Sequence, residues 1–192
     1  MGGIYGEETR MMFEGFNDNV IEAFSQKESS FPKFFEDMRF EKDGLTNREK
    51  RQLEKETGWS KDLISHIDSA EQAEIYKTAD LKEAEIGGRS CLIKDIDFDY
   101  LDEKTGLTNR ERMQLGRPPI DAKTGEKIEL HHMGQKYDAP FAELKENSEH
   151  GDGNHSILHP KTEGSWRNVP ELENEYGKER KQYWKERAEE AA

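Results

Sequence analysis

Cysteine is almost missing from this chain. Cys91 is the only one, so no internal disulfide can form. A reducing compartment is compatible with that and is not established by it. Apolar residues are also scarce, at 32% of the chain against 37% charged, so any core has to be economical. No run of about 18 consecutive apolar residues occurs, and a spanning helix is therefore not expected. The opening MGGIYGEETR has no basic stretch followed by an apolar run, so it reads as no secretory signal. Gly6 stands where myristoylation would require Ser or Thr. Positive charge is in deficit as well: 29 Lys and Arg face 42 Asp and Glu, a net charge of −13. Binding nucleic acid through general electrostatic attraction is disfavoured by that balance.

What is present is organised. The 192 residues suffice for one ordinary domain or two small ones. From about Glu7 to Met38, Met11, Met12, Phe13, Phe16, Val20, Ile21, Ala23 and Phe24 form a helical stripe that Pro32 interrupts. A near repeat follows. EKDGLTNREKRQL (41–53) returns as EKTGLTNRERMQL (103–115), with ten of thirteen positions identical. Each copy carries Thr-x-x-Glu, a capping box that predicts a helix start at Thr46 and at Thr108. Ser60 and Ser69 are the expected caps of two short helices between them. EAEIGGRSCLI reads as a β-hairpin turning at Gly87-Gly88. DIDFDYLDEKTG lacks the ligand spacing and central glycine of a calcium loop and reads as solvated surface. Pro118 and Pro119 end the preceding helix, and IDAKTGEKI reads as strand, turn, strand. A terminal helix is expected over VPELENEYGKERKQYWKERAEE, burying Leu172, Tyr176, Tyr183 and Trp184. Lys178, Arg180, Lys181, Lys185 and Arg187 lend it local positive charge.

Histidines are distributed unevenly. Five of the six, His131, His132, His150, His155 and His159, fall within 131–159, while His66 stands apart in LISHI. Histidine is both a common metal ligand and the usual proton shuttle near neutral pH. Neighbours on an extended strand point to opposite faces, so His131 and His132 are not expected to hold one ion together. One can bind a metal while the other acts as a base beside a metal-bound phosphate. His155 and His159 share a face if that segment is helical, and the GDG after His150 could fold His150 back toward them. Asn154 could bind the metal, orient the base or orient the substrate. The competing reading is a structural zinc site in a non-catalytic binding protein, or histidines exposed in a polar loop.

Taken together, IELHHMGQK, PFAELKENSEHGDGN, ILHP and YWKERA resemble the Leu-His-His (LHH) nuclease family of the HNH/endonuclease VII superfamily. The resemblance spans roughly Thr105 to Ala188. The stretch upstream, from LTNREKRQLEKETGW to GLTNRERMQLGRPP, is similar to the segment that precedes such domains in long secreted toxins. Residues 1–40 carry no resemblance. The family implies a ββα-metal core at the C-terminal tip of a bacterial polymorphic toxin. It implies His131 as metal ligand and His132 as general base, with His150, Asn154 and His159 at the later polar positions. His150 and His159 would complete the ligand set, Asn154 would join His132 in catalysis, and His155 stays in reserve. Gln135 and Glu143 would fix loops or support the ligands. A divalent cofactor follows (Mg, Mn, Zn or Ni), with nucleic acid as substrate, DNA ahead of RNA. An immunity protein in the producing cell and action in the cytoplasm of a target cell follow too.

The architecture expected is α+β: a helical segment over 1–42, a helical and hairpin segment over 43–116, and an HNH-like nuclease domain over 117–192. That last segment still holds 12 basic against 16 acidic residues, so substrate would have to be met by a local patch.

Overall fold

The computed structural model describes residues 44–135, 139–160 and 170–190, the side chains of 170–172 excepted. The helix expected over 7–38 and the side chain of Leu172 lie outside the described residues.

Local chemistry sets the first elements. Helix α1 (Asn47–Thr57) begins at Thr46, whose hydroxyl accepts from the Glu49 amide while the Glu49 carboxylate accepts from the Thr46 amide at 2.8 Å. It stops at Gly58, in the left-handed conformation that caps helices. Ser60 and Ser69 cap α2 (Lys61–Ile64) and α3 (Ala70–Thr78), each accepting an amide three residues on. Strands β1 (Lys82–Ile86) and β2 (Arg89–Ile93) form the hairpin at Gly87-Gly88. Two short strands, β3 (Leu101–Asp102) and β4 (Leu107–Thr108), pair separately. The second capping box, Thr108 with Glu111, opens α4 (Asn109–Gln114). After it, Gly116 adopts φ +70°, and a Cβ there would stand 3.0 Å from the Lys181 carbonyl oxygen, so the close approach of two helices depends on glycine.

The strand-turn-strand reading of 120–128 holds only in part. Asp121 caps the turn through the Thr124 amide and hydroxyl, but Ile120 pairs with Lys127 by a single bridge. The Ile120 amide is taken by the Asn109 side chain, and the two prolines before it have no amide to give, so no first strand can extend. Strand β5 (Ile128–His132) follows and pairs antiparallel with β6 (Phe141–Lys145). A single turn, α5 (His155–Leu158), and a long helix, α6 (Pro170–Glu189), complete the order. No described helix is long and apolar enough to cross a membrane.

The main sheet runs β1-β2-β6-β5, with β2 and β6 parallel through Leu92 and Ala142. Residues on both sides of 116–117 therefore share one sheet, and each of its faces buries a core. One face sets Leu92, Ala142 and Leu144 against Leu63, Ile67 and Tyr76 of the helical segment and Leu158 of α5. The other sets Cys91, Ile128, Leu130 and Phe141 against Met113 and, from α6, Tyr176, Tyr183 and Trp184. Burial pushes the Cys91 thiol up to about 12, which leaves it an inert core side chain.

One basic residue of the terminal helix departs from expectation. Lys178, Lys181 and Lys185 are exposed, but Arg187 is buried. Its Nε donates to Glu143 Oε1 at 3.2 Å and its Nη2 to the Lys94 carbonyl at 3.0 Å. The Tyr183 hydroxyl and the Lys94 amide complete the Glu143 carboxylate, at 2.9 and 2.7 Å. Glu143 is thus the centre of a buried ion pair that ties α6 to the sheet. Burial pushes its carboxyl up, and Arg187 pulls the other way.

Candidate active site

Period-two alternation along β5 separates two sets of side chains. Ile128, Leu130 and His132 face α6, while Glu129 and His131 face the side of α3 and α5. The adjacent histidines therefore sit on opposite faces of the sheet.

On the first face, three imidazoles converge. His131 is buried on the strand, His150 sits in the turn after β6, and His159 follows α5. One nitrogen from each lies within 4.8 Å of the others. The Nε2 atoms of His150 and His159 face each other at 2.9 Å. Glu129 accepts from His150 Nδ1 at 3.0 Å, and that bond holds the Glu129 carboxyl below the usual carboxylate range. With Nδ1 carrying its proton toward Glu129, His150 Nε2 turns its lone pair into the cluster. His155 is exposed and stacks its ring 4.6 Å from that of His159, at the rim. His66 lies in the turn after α2 and is not one of the three converging histidines.

The loop that presents His150 is braced. Asn154 donates its side-chain amide to the Glu149 carbonyl at 3.0 Å. The Glu149 carboxylate binds the Lys94 ammonium at 2.8 Å and the Lys145 amide. A side chain on Gly151 would meet the Asn147 carbonyl at 2.8 Å, so glycine lets the turn close. Gln135 donates to the Pro160 carbonyl at 3.1 Å, tying the turn after β5 to the residue after His159. Here Asn154 holds the His150 loop, and Gln135 holds the far end of the cluster.

On the second face, His132 is 2% exposed and packed between Phe141 and Tyr176, with ring centroids at 4.5 and 4.8 Å. Its Nε2 lies 3.7 Å from Glu179 Oε2 of α6. Sequence reasoning missed Glu129 and Glu179 for different reasons. Glu129 was within reach, since it stands two residues before His131 on a strand. Glu179 carries no local signal.

Residues 108–190 match the family described as a nuclease of the HNH/ENDO VII superfamily with conserved LHH. The match takes in less than half of the chain. Leu130, His131 and His132 are its Leu-His-His, and the nuclease activity of this part of the chain follows. No solved structure matches the chain. The α+β expectation, with an HNH-type nuclease domain toward the C-terminus, agrees with the helices and small mixed sheet observed.

The LHH cluster suits a cation on its own evidence. Two facing imidazole nitrogens at 2.9 Å repel unless a proton or a cation lies between them, and His131 turns a third ring to the same place. A set of three imidazoles favours borderline ions such as zinc or nickel over magnesium, which prefers oxygen. Glu129 gives the arrangement a carboxylate-to-histidine support. Replacing Glu129 by Gln is expected to weaken metal affinity roughly 10- to 100-fold while leaving the fold intact. Calorimetric titration of zinc into the metal-free protein measures this, and unchanged affinity would remove Glu129 from the ligand set's support.

Proposed function

We propose that this chain hydrolyses phosphodiester bonds of nucleic acid, DNA in preference to RNA, using His132 as general base and His131, His150 and His159 as the ligands of a divalent ion. One observation carries the reading: three imidazoles meet on one face of β5, while the next residue turns a fourth imidazole away from them, beside a carboxylate.

Bound to the three histidines, the ion would supply Lewis-acid stabilisation of charge on the phosphate and the leaving oxygen. The chain's own residues do the rest. His132 takes the proton of the attacking water, with Glu179 near Nε2 favouring the imidazolium that forms. Glu129 keeps the His150 proton on Nδ1, and Asn154 keeps that loop in place. Lys178, Lys181 and Lys185 share the exposed side of α6, away from the Tyr176 and Glu179 side that meets His132, and offer flanking phosphates a local positive surface on an otherwise acidic protein. Association is expected to weaken steeply with salt for that reason.

The toxin reading rests on the resemblance of the motif set and of the segment before it. It brings an immunity protein that occludes the site, and a target cell whose cytoplasm supplies the substrate.

The deciding experiment incubates the protein with plasmid and with total RNA, with and without chelator. Plasmid cleavage abolished by chelator and restored by zinc or nickel is the expected result. RNA cleavage that ignores chelator would overturn the metal assignment, and no cleavage of either polymer would leave the structural-zinc alternative in its place.

A further inference from the structure

Arg89 opens β2 and lies outside the family-matched stretch, yet it reaches the His132 face of the nuclease domain. Its Nη2 pairs with Glu179 Oε1 at 2.6 Å, and its guanidinium stands 5.1 Å over the Phe141 ring. His132 packs against the same Phe141 ring and sets Nε2 3.7 Å from the other Glu179 oxygen. One carboxylate thus stands between a guanidinium and an imidazole. Among the described residues, Arg89 Nη1 and Glu179 Oε2 are buried with no hydrogen-bond partner. A cavity lined by Gly87, Arg89, Phe141, Tyr183 and two carboxylates, Glu179 and Glu186, lies alongside.

An unsatisfied buried guanidinium nitrogen is costly unless a ligand completes it. Arginine's planar fork suits a phosphate, which offers two oxygens to its two nitrogens. Glu179 satisfies one nitrogen only, and it does so beside the imidazole read above as the base.

We propose that Arg89 is a phosphate-binding residue of this nuclease site, supplied by the hairpin that precedes the family domain. Glu179 holds the guanidinium in place, and the substrate phosphate displaces it. The inference rests on the reading of His132 as the residue that faces the reacting phosphate. It adds an arm from outside the LHH stretch, and it makes Glu179 a competitor of substrate as well as a neighbour of the base.

The test measures binding of a short DNA duplex in chelator, where no cleavage confuses the signal, with a short RNA used instead if the wild type cuts only RNA. Arg89→Gln should weaken binding about tenfold and lower the slope of log affinity against log salt by about one. Glu179→Gln should strengthen binding severalfold, because it removes a like charge and a competitor for the guanidinium. Opposite signs are the signature, since two purely structural substitutions would both weaken binding. Both variants weakening binding, or neither moving it, overturns the proposal. Thermal melting checks each variant. If Arg89→Gln fails to fold, Arg89→Lys, which keeps the charge and loses the fork, should weaken binding by a smaller factor, and wild-type affinity there overturns it equally. A wild type that cuts and binds while its variants bind alike sinks this inference alone. A wild type that cuts neither polymer sinks the functional reading beneath it.

Discussion

His132→Ala is expected to lower the rate of phosphodiester cleavage roughly 10²- to 10⁴-fold, the usual contribution of a positioned general base. Metal affinity should be unchanged. The reason is the alternation of β5, which puts the His132 ring across the sheet from the nitrogens of His131, His150 and His159. The substitution also empties space between Phe141 and Tyr176, so a lower melting temperature is expected and does not count against the assignment. Three measurements separate the effects: cleavage rate at saturating metal, calorimetric metal titration and thermal melting. Wild-type cleavage would remove His132 from the chemistry. Loss of metal binding in a folded variant would show that the two faces are not independent.

Glu143→Ala should have the largest effect on stability, about 3–5 kcal/mol, with a fall in melting temperature on the order of 10 °C. Glu143 is fully buried and accepts from Arg187, Tyr183 and the Lys94 amide. Removing the carboxylate leaves a guanidinium, a hydroxyl and an amide in the interior without it. The ion pair itself need not stabilise much, because burying two charges offsets most of their attraction. Losing one partner is what costs. Denaturant or thermal unfolding of the metal-free protein measures the change, and a loss below about 1 kcal/mol would mean that water or another acceptor reaches Arg187.

Both residues show how far the sequence could be read. The capping boxes at Thr46 and Thr108, the serine caps at 60 and 69, and the turn at Gly87-Gly88 rest on neighbours within four residues, so local chemistry announced them. The division of His131 from His132 followed from strand alternation alone. What stayed hidden depends on residues far apart in the chain. Nothing near Leu92 announces a parallel partner at Ala142, and nothing near Arg89 announces Glu179. Arg187 read as surface charge because a basic helix is usually solvated. Only the position of Glu143 on the facing strand reveals it as a core residue. Asn154 belonged to the right loop, and the structure shows it bracing the backbone that carries His150.

The parallel pairing of β2 with β6 bears on how this nuclease can be dissected. A fragment cut at residue 108 would strip one side of β6 of its neighbour and bare an edge ready to pair with another molecule. It would also uncover Ala142 and Leu144, which now pack with Leu63 and Ile67. The boundary drawn by family likeness and the boundary drawn by burial are different lines, and a piece meant to fold needs the second.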